Sequence, residues 1–111
     1  MIDLATYPPT EVIAEMSRRI RSTCASHPSV RQVYVFGSYA RGDFDVLSDV
    51  DIWAHYDQQP SLAEYLALAD ELEAALGKRI DYVTRTDPAA LGTLFSEMER
   101  DKVLLYDRSA Q

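Results

Sequence analysis

A small β-sheet covered by helices, an α/β (α+β) fold, is the architecture the sequence predicts. Apolar residues recur every three to four positions in three stretches, the period of an amphipathic helix. Short runs rich in β-branched and aromatic residues lie between them, the composition of strands. The two types alternate along 111 residues as helix, strand, a short helical turn, strand, helix, strand, helix. Such an order buries one face of each helix against a sheet. Pattern alone does not say whether that sheet is parallel or mixed.

The first helix opens at Pro8-Pro9-Thr10 and runs to about Ser26, with Val12, Ile13, Met16, Ile20 and Cys24 on one stripe. His27-Pro28 ends it, because the residue before proline avoids the helical region. Val30 to Phe36 reads as a strand that Gly37 breaks, and Val50 to His55 as a second. Ser61-Leu62-Ala63-Glu64 has the spacing of a capping box. The helix it starts is expected to bury Leu62, Leu66, Ala69, Leu72 and Leu76, and to stop at Gly77. Arg79 to Thr84 reads as a third strand. Asp87-Pro88 supplies an N-cap and a first-turn proline for one further helix, with Leu91, Leu94, Phe95 and Met98 as its stripe. Val103 to Tyr106 reads as a short last strand or as docked coil.

The length suits one domain, taken here as 1–111, with surface enough for one core. No apolar run approaches the ~20 residues of a membrane span, and the first residues lack the basic and apolar regions of a secretory signal. Cys24 is the only cysteine, which excludes an internal disulfide and fits a reducing cytoplasm. The net charge of −7 counts against long DNA or RNA as partner, since phosphate-backbone binding needs a basic footprint. A small nucleotide stays admissible, because bound cations supply positive charge locally.

Three features carry chemistry. Gly37-Ser38 follows the first strand; glycine lets a ligand come close, and Ser38 can open a short helix whose free N–H groups attract phosphate. The ordinary alternative is a strand-to-helix turn with a serine cap. Asp49-Val50-Asp51 places two carboxylates on one face of a strand. They repel unless a cation lies between them, and Mg²⁺ is commonly held by such a pair plus substrate phosphates. The ordinary alternative is a solvated acidic turn. Asp81 stands inside a short strand, where aspartate is depleted. Its ordinary alternatives are an ion pair with Arg79 or Arg85, or a strand edge facing water. Together, a phosphate-binding turn and three acids on successive strands describe a two-metal site for phosphoryl transfer.

Gly37-Ser38, ten residues, Asp49-Val50-Asp51 and a later strand acid resemble the signature of the polymerase-β-like nucleotidyltransferase superfamily. Gly37-Ser38-Tyr39-Ala40-Arg41-Gly42, Ser48-Asp49-Val50-Asp51-Ile52 and the ending Glu99 to Tyr106 resemble its minimal nucleotidyltransferase branch, over the chain from about Thr10. The resemblance implies a mixed sheet flanked by helices, two Mg²⁺ ions and ATP. Asp49 and Asp51 would bind both ions, Asp81 the ion beside the nucleophile, and Gly37 and Ser38 the triphosphate tail. Arg41 would either contact phosphate or serve as a surface or interface arginine. Many short members of the branch are antitoxins that transfer AMP from ATP to a tyrosine of a neighbouring HEPN-domain toxin. Two features depart from the family pattern: the apolar segment Asp43-Phe44-Asp45-Val46-Leu47 and the bulky Trp53.

The implied function is therefore adenylylation of a HEPN toxin. Transfer to a small molecule, or a non-catalytic antitoxin acting by binding alone, are the alternatives. The predicted elements are used up by the catalytic core, so the acceptor surface is expected to come from the partner. Cys24 is expected in the core, His27 and His55 at the surface or at strand ends, and Asp43 and Asp45 in solvent.

Overall fold

The computed structural model describes residues 2–110. After a short 3-10 turn at Leu4–Thr6 come α1 (Pro9–Cys24), β1 (Val30–Phe36), α2 (Gly37–Arg41), β2 (Val50–Tyr56) and α3 (Leu62–Leu76). β3 (Ile80–Val83), α4 (Pro88–Leu91), α5 (Thr93–Asp101) and β4 (Val103–Asp107) complete the chain order. The sheet is four-stranded, in the order β3-β2-β1-β4. β1 pairs antiparallel with β2 and β4, while β2 pairs in parallel with β3. The sheet is therefore mixed and flanked by helices, and the ending at Val103 is an edge strand rather than coil.

α1 and α3 pack together against one face of the sheet. Val12, Met16, Ile20 and Cys24 from α1 meet Val33, Val35, Val50, Ile52 and Ala54 from the sheet, and Leu68, Leu72 and Leu76 from α3 close this core. On the other face Phe36, Trp53 and Met98 form a second cluster, joined by Tyr34, Val83, Leu91, Leu94 and Phe95. β2 is thus buried from both sides, which is why its sequence is almost continuously apolar. Among the described residues, no helix is long and apolar enough to cross a membrane.

Two expectations need correction. α3 begins with the anticipated capping box, Ser61 and Glu64 each accepting from the other's backbone N–H. Its buried face, however, is Leu68, Leu72 and Leu76, while Leu62 and Leu66 are 74% and 49% exposed. The helix is apolar on two sides, so spacing alone admits either stripe. The helix expected after Asp87 is in fact two, broken at Gly92, whose φ of 58° and ψ of −134° are open essentially to glycine alone. Asp87 makes no side-chain cap there and pairs instead with Arg85. The stripe Leu91, Leu94, Phe95 and Met98 still faces the sheet, because the break reorients the chain without removing it from that surface.

The correction on α3 is testable by unfolding in urea. Leu68→Ala removes a fully buried side chain and should lower stability by ~2–5 kcal/mol. Leu66→Ala should change it by ~0.5 kcal/mol or less, as surface positions do. Equal losses would show that the exposed stripe is buried after all.

Candidate active site

β1 ends at Phe36, and the chain turns at Gly37 with φ of +70° directly into α2. The turn lies against β2, where Asp51 is the register partner of Phe36. A Cβ on residue 37 would stand 2.0 Å from Asp51 Oδ2, so only glycine lets the backbone come this near the carboxylate. The parallel pairing of β2 with β3 sets Asp51 beside Asp81. Parallel register puts side chains of paired residues on the same face, so the two carboxyls meet.

The Asp51 carboxyl titrates far above the ordinary range, at about 7. Burial is the largest cause, followed by the hydrogen bond and charge of Asp81, then the charge of Asp49; Arg41 opposes them. Asp51 therefore holds its proton up to near-neutral pH until a cation replaces it.

The predicted residues are distributed unevenly. Gly37, Ser38, Arg41 and Asp51 line one cavity of about 350 Å³, together with Arg100 and Asp101 from the end of α5. Asp81 adjoins Asp51 from the edge strand β3 and is exposed to solvent. Asp49 lies one residue before β2, in the loop rather than in the strand, and reaches Asp51 by charge alone. Among the described residues no three acidic, histidine or cysteine side chains are already grouped as a metal centre. A hard cation nonetheless fits the pair that is formed: two carboxyls face each other across the β2–β3 register, and a side-chain-free glycine lies beside them. A larger recess of about 520 Å³, between Arg21 of α1 and Tyr106 of β4, contains none of the predicted residues.

The remaining residues singled out from the sequence have structural places. Cys24 is buried, and that burial pushes its thiol up to about 12, so it is inert core. His27 contacts Glu71. His55 is more enclosed than a strand-end residue need be, packed on Trp53 and Tyr34 at centroid distances of 4.7 and 5.1 Å. Trp53 is buried and donates Nε1–H to the Arg85 carbonyl at 2.9 Å. Asp45 is not merely solvated, since its Oδ1 accepts the Leu47 N–H at 2.8 Å and fixes the turn before Asp49. Asp43 pairs with Arg41.

The sequence profile of the polymerase beta nucleotidyltransferase family spans residues 18–111. The chain belongs to that family. A candidate protein adenylyltransferase of Methanocaldococcus jannaschii is 37% identical over 75 residues, 66% of this chain and 75% of that relative. The protein adenylyltransferase MntA of Thermococcus cleftensis is 46% identical over 57 residues, 51% of this chain and 58% of its own length. Among solved structures, a minimal nucleotidyltransferase superposes with a TM-score of 0.67 at 29% identity, covering 92% of this chain and 95% of the other. A chain from a toxin–antitoxin crystal structure with AMP-PNP gives a TM-score of 0.65 at 24% identity, over 82% of this chain and 73% of that one. At that identity the match shows the fold.

The raised Asp51 carboxyl has a consequence for stability without added metal. Its folded value lies above the unfolded value of 3.8, so its proton favours the fold. That contribution is complete below about pH 4 and is lost as pH rises through about 7. In chelator, urea midpoints of the wild type should fall relative to those of Asp51→Asn over this range. A constant difference between the two proteins would show that the carboxyl titrates normally.

Proposed function

We propose that this nucleotidyltransferase moves AMP from ATP onto a tyrosine of a cognate HEPN-domain toxin, and so acts as the antitoxin of a toxin–antitoxin pair in the cytoplasm. The observation that carries the reading is that Asp51 meets Gly37 at one cavity and Asp81 from the neighbouring strand, in a chain of this family. The relatives named protein adenylyltransferases support the reaction. Support for the partner comes from matched chains of toxin–antitoxin complexes, one of them a tri-AMPylated Shewanella oneidensis HEPN toxin with an MNT antitoxin.

In this reading Asp49, Asp51 and Asp81 hold Mg²⁺, two ions in all. Bound there, the ions neutralise the polyphosphate and stabilise the charge that develops on the leaving pyrophosphate. Gly37 and Ser38 receive the triphosphate tail, and Arg41 adds a guanidinium from the same wall. Asp81, exposed at the sheet edge, is placed to accept the proton of an incoming tyrosine hydroxyl. Its exposure suits an acceptor delivered by another protein rather than one enclosed by this chain.

The test mixes the purified chain with the protein encoded by the adjacent reading frame, ATP and Mg²⁺, and weighs that protein by mass spectrometry. Asp51→Asn should lower transfer by at least ~10²-fold. Its circular dichroism and its co-elution with the partner should stay unchanged, because asparagine keeps the shape of aspartate. Neutralisation of the toxin by the Asn variant would overturn the catalytic reading in favour of inhibition by binding.

A further inference from the structure

The cavity beside Asp51 carries a charge cluster of which these roles use only Arg41. Asp101, at the end of α5, has a side chain only 8% exposed. It accepts from Arg41 Nη1 at 3.0 Å, from Arg100 Nε at 2.8 Å and from Arg100 Nη2 at 3.2 Å. Arg41 also donates Nε–H to Asp43 at 3.2 Å. All but Asp43 line the same cavity as Gly37, Ser38 and Asp51.

A tie between α2 and α5 accounts for Arg41 and Asp101, which are sixty positions apart. It does not account for Arg100, which adjoins Asp101 in sequence and joins no second element to α5. What Arg100 adds is a second guanidinium on the cavity wall. A guanidinium has five N–H donors. Among the described residues, Arg100 Nη1 and Arg41 Nη2 have no hydrogen-bond partner, so donors remain for a ligand. The Arg41–Asp43 pair is exposed and weak, so an incoming anion displaces it readily. Asp101 stands behind the two guanidiniums. Glu97 and Asp51 on the same walls disfavour a bare anion and favour one that arrives with its own cation.

We infer that Arg100, together with Arg41, binds the polyphosphate tail of a metal-bound nucleoside triphosphate, and that Asp101 is the positioning residue that aims both guanidiniums. The inference rests on the nucleotidyl-transfer reading and deepens it. It makes the polyphosphate tail, rather than the nucleoside, the part of the ligand that these two arginines recognise.

Binding measured by calorimetry without any acceptor tests it, using Mg–ATP, Mg–tripolyphosphate and AMP as probes. Arg100→Ala, at a side chain 67% exposed, should keep the fold. It should weaken both tail-bearing probes about tenfold or more, the worth of a charged hydrogen bond, and leave AMP unchanged. Arg100→Lys, which keeps the charge and loses the fork, should fall between. Asp101→Asn should weaken Mg–tripolyphosphate but not AMP, whereas a purely structural tie would move the melting temperature and all three probes together. Wild-type affinity of Arg100→Ala for Mg–ATP, or equal loss of Mg–ATP and AMP, overturns the inference and leaves the family reading standing. A wild-type protein that binds neither Mg–ATP nor Mg–tripolyphosphate overturns both.

Discussion

The parallel pairing of β2 with β3 is the constraint on which the candidate site depends. It sets Asp51 opposite Asp81, an arrangement that like charges resist. The sheet imposes it because the residues around Asp51 have no other place to go. Val50, Ile52 and Ala54 are fully buried against α1 and α3, and Trp53 is buried on the opposite face. A slip of one residue would exchange the faces of the whole strand, so the register is fixed by apolar burial on both sides. The carboxyls are carried into contact by that packing, and part of the resulting repulsion is relieved by the raised Asp51 carboxyl keeping its proton.

The same strand also explains the turn at Gly37. β1 delivers Phe36 opposite Asp51, and the next residue has to leave the sheet while passing the carboxylate. A side chain at that point would collide with Asp51 Oδ2. The requirement for glycine is therefore double, a positive φ and a close approach, and both arise from the location of the acid. Tyr39, in the short helix that follows, is buried and stacks on Phe44 at a centroid distance of 4.3 Å. This contact anchors the loop leading back to β2. The apolar character of Asp43 to Leu47 is thus partly structural. Phe44 is used in packing, whereas Val46 and Leu47 are 63% and 88% exposed.

Much of this was legible in the sequence because it is local or periodic. The stripe of α1, the strands around Val33 and Ile52, and the Ser61 capping box each follow from spacing within a few residues. The mixed sheet came from family resemblance, since pairing partners lie far apart in the chain. Where two periodic answers coexist, spacing does not decide: α3 offers Leu62 and Leu66 as readily as Leu68, Leu72 and Leu76, and only the position of α1 selects among them. Gly92 tells a similar story. A lone glycine inside an apolar pattern is tolerated in helices, and here its backbone break follows from tertiary placement of α5. Arg100 and Asp101 stand in the ending that resembles the minimal nucleotidyltransferase branch, yet their relation to Arg41 has no local pattern, because it spans most of the domain.

That relation bears on how an acidic protein holds a nucleotide. The net charge of −7 describes the whole surface and says little about the cavity, where charges are ordered rather than summed. Asp51 lines it, with Asp81 beside Asp51 on the edge strand, and the two favour a cation. Arg41 and Arg100 line the same cavity, with Asp101 between them held at about 2 by Arg100 and then by Arg41, so that it stays ionised and keeps them in place. A carboxylate in that position lowers the local positive charge, yet it also removes much of the rotamer freedom that two long side chains lose on binding a ligand. Arginines fixed beforehand recognise a phosphate by geometry, and the cation carried by that phosphate meets the acids beyond them. Guanidiniums and a carboxylate set on the walls of one cavity match the mixed charge of a metal-bound polyphosphate better than any uniform basic surface would.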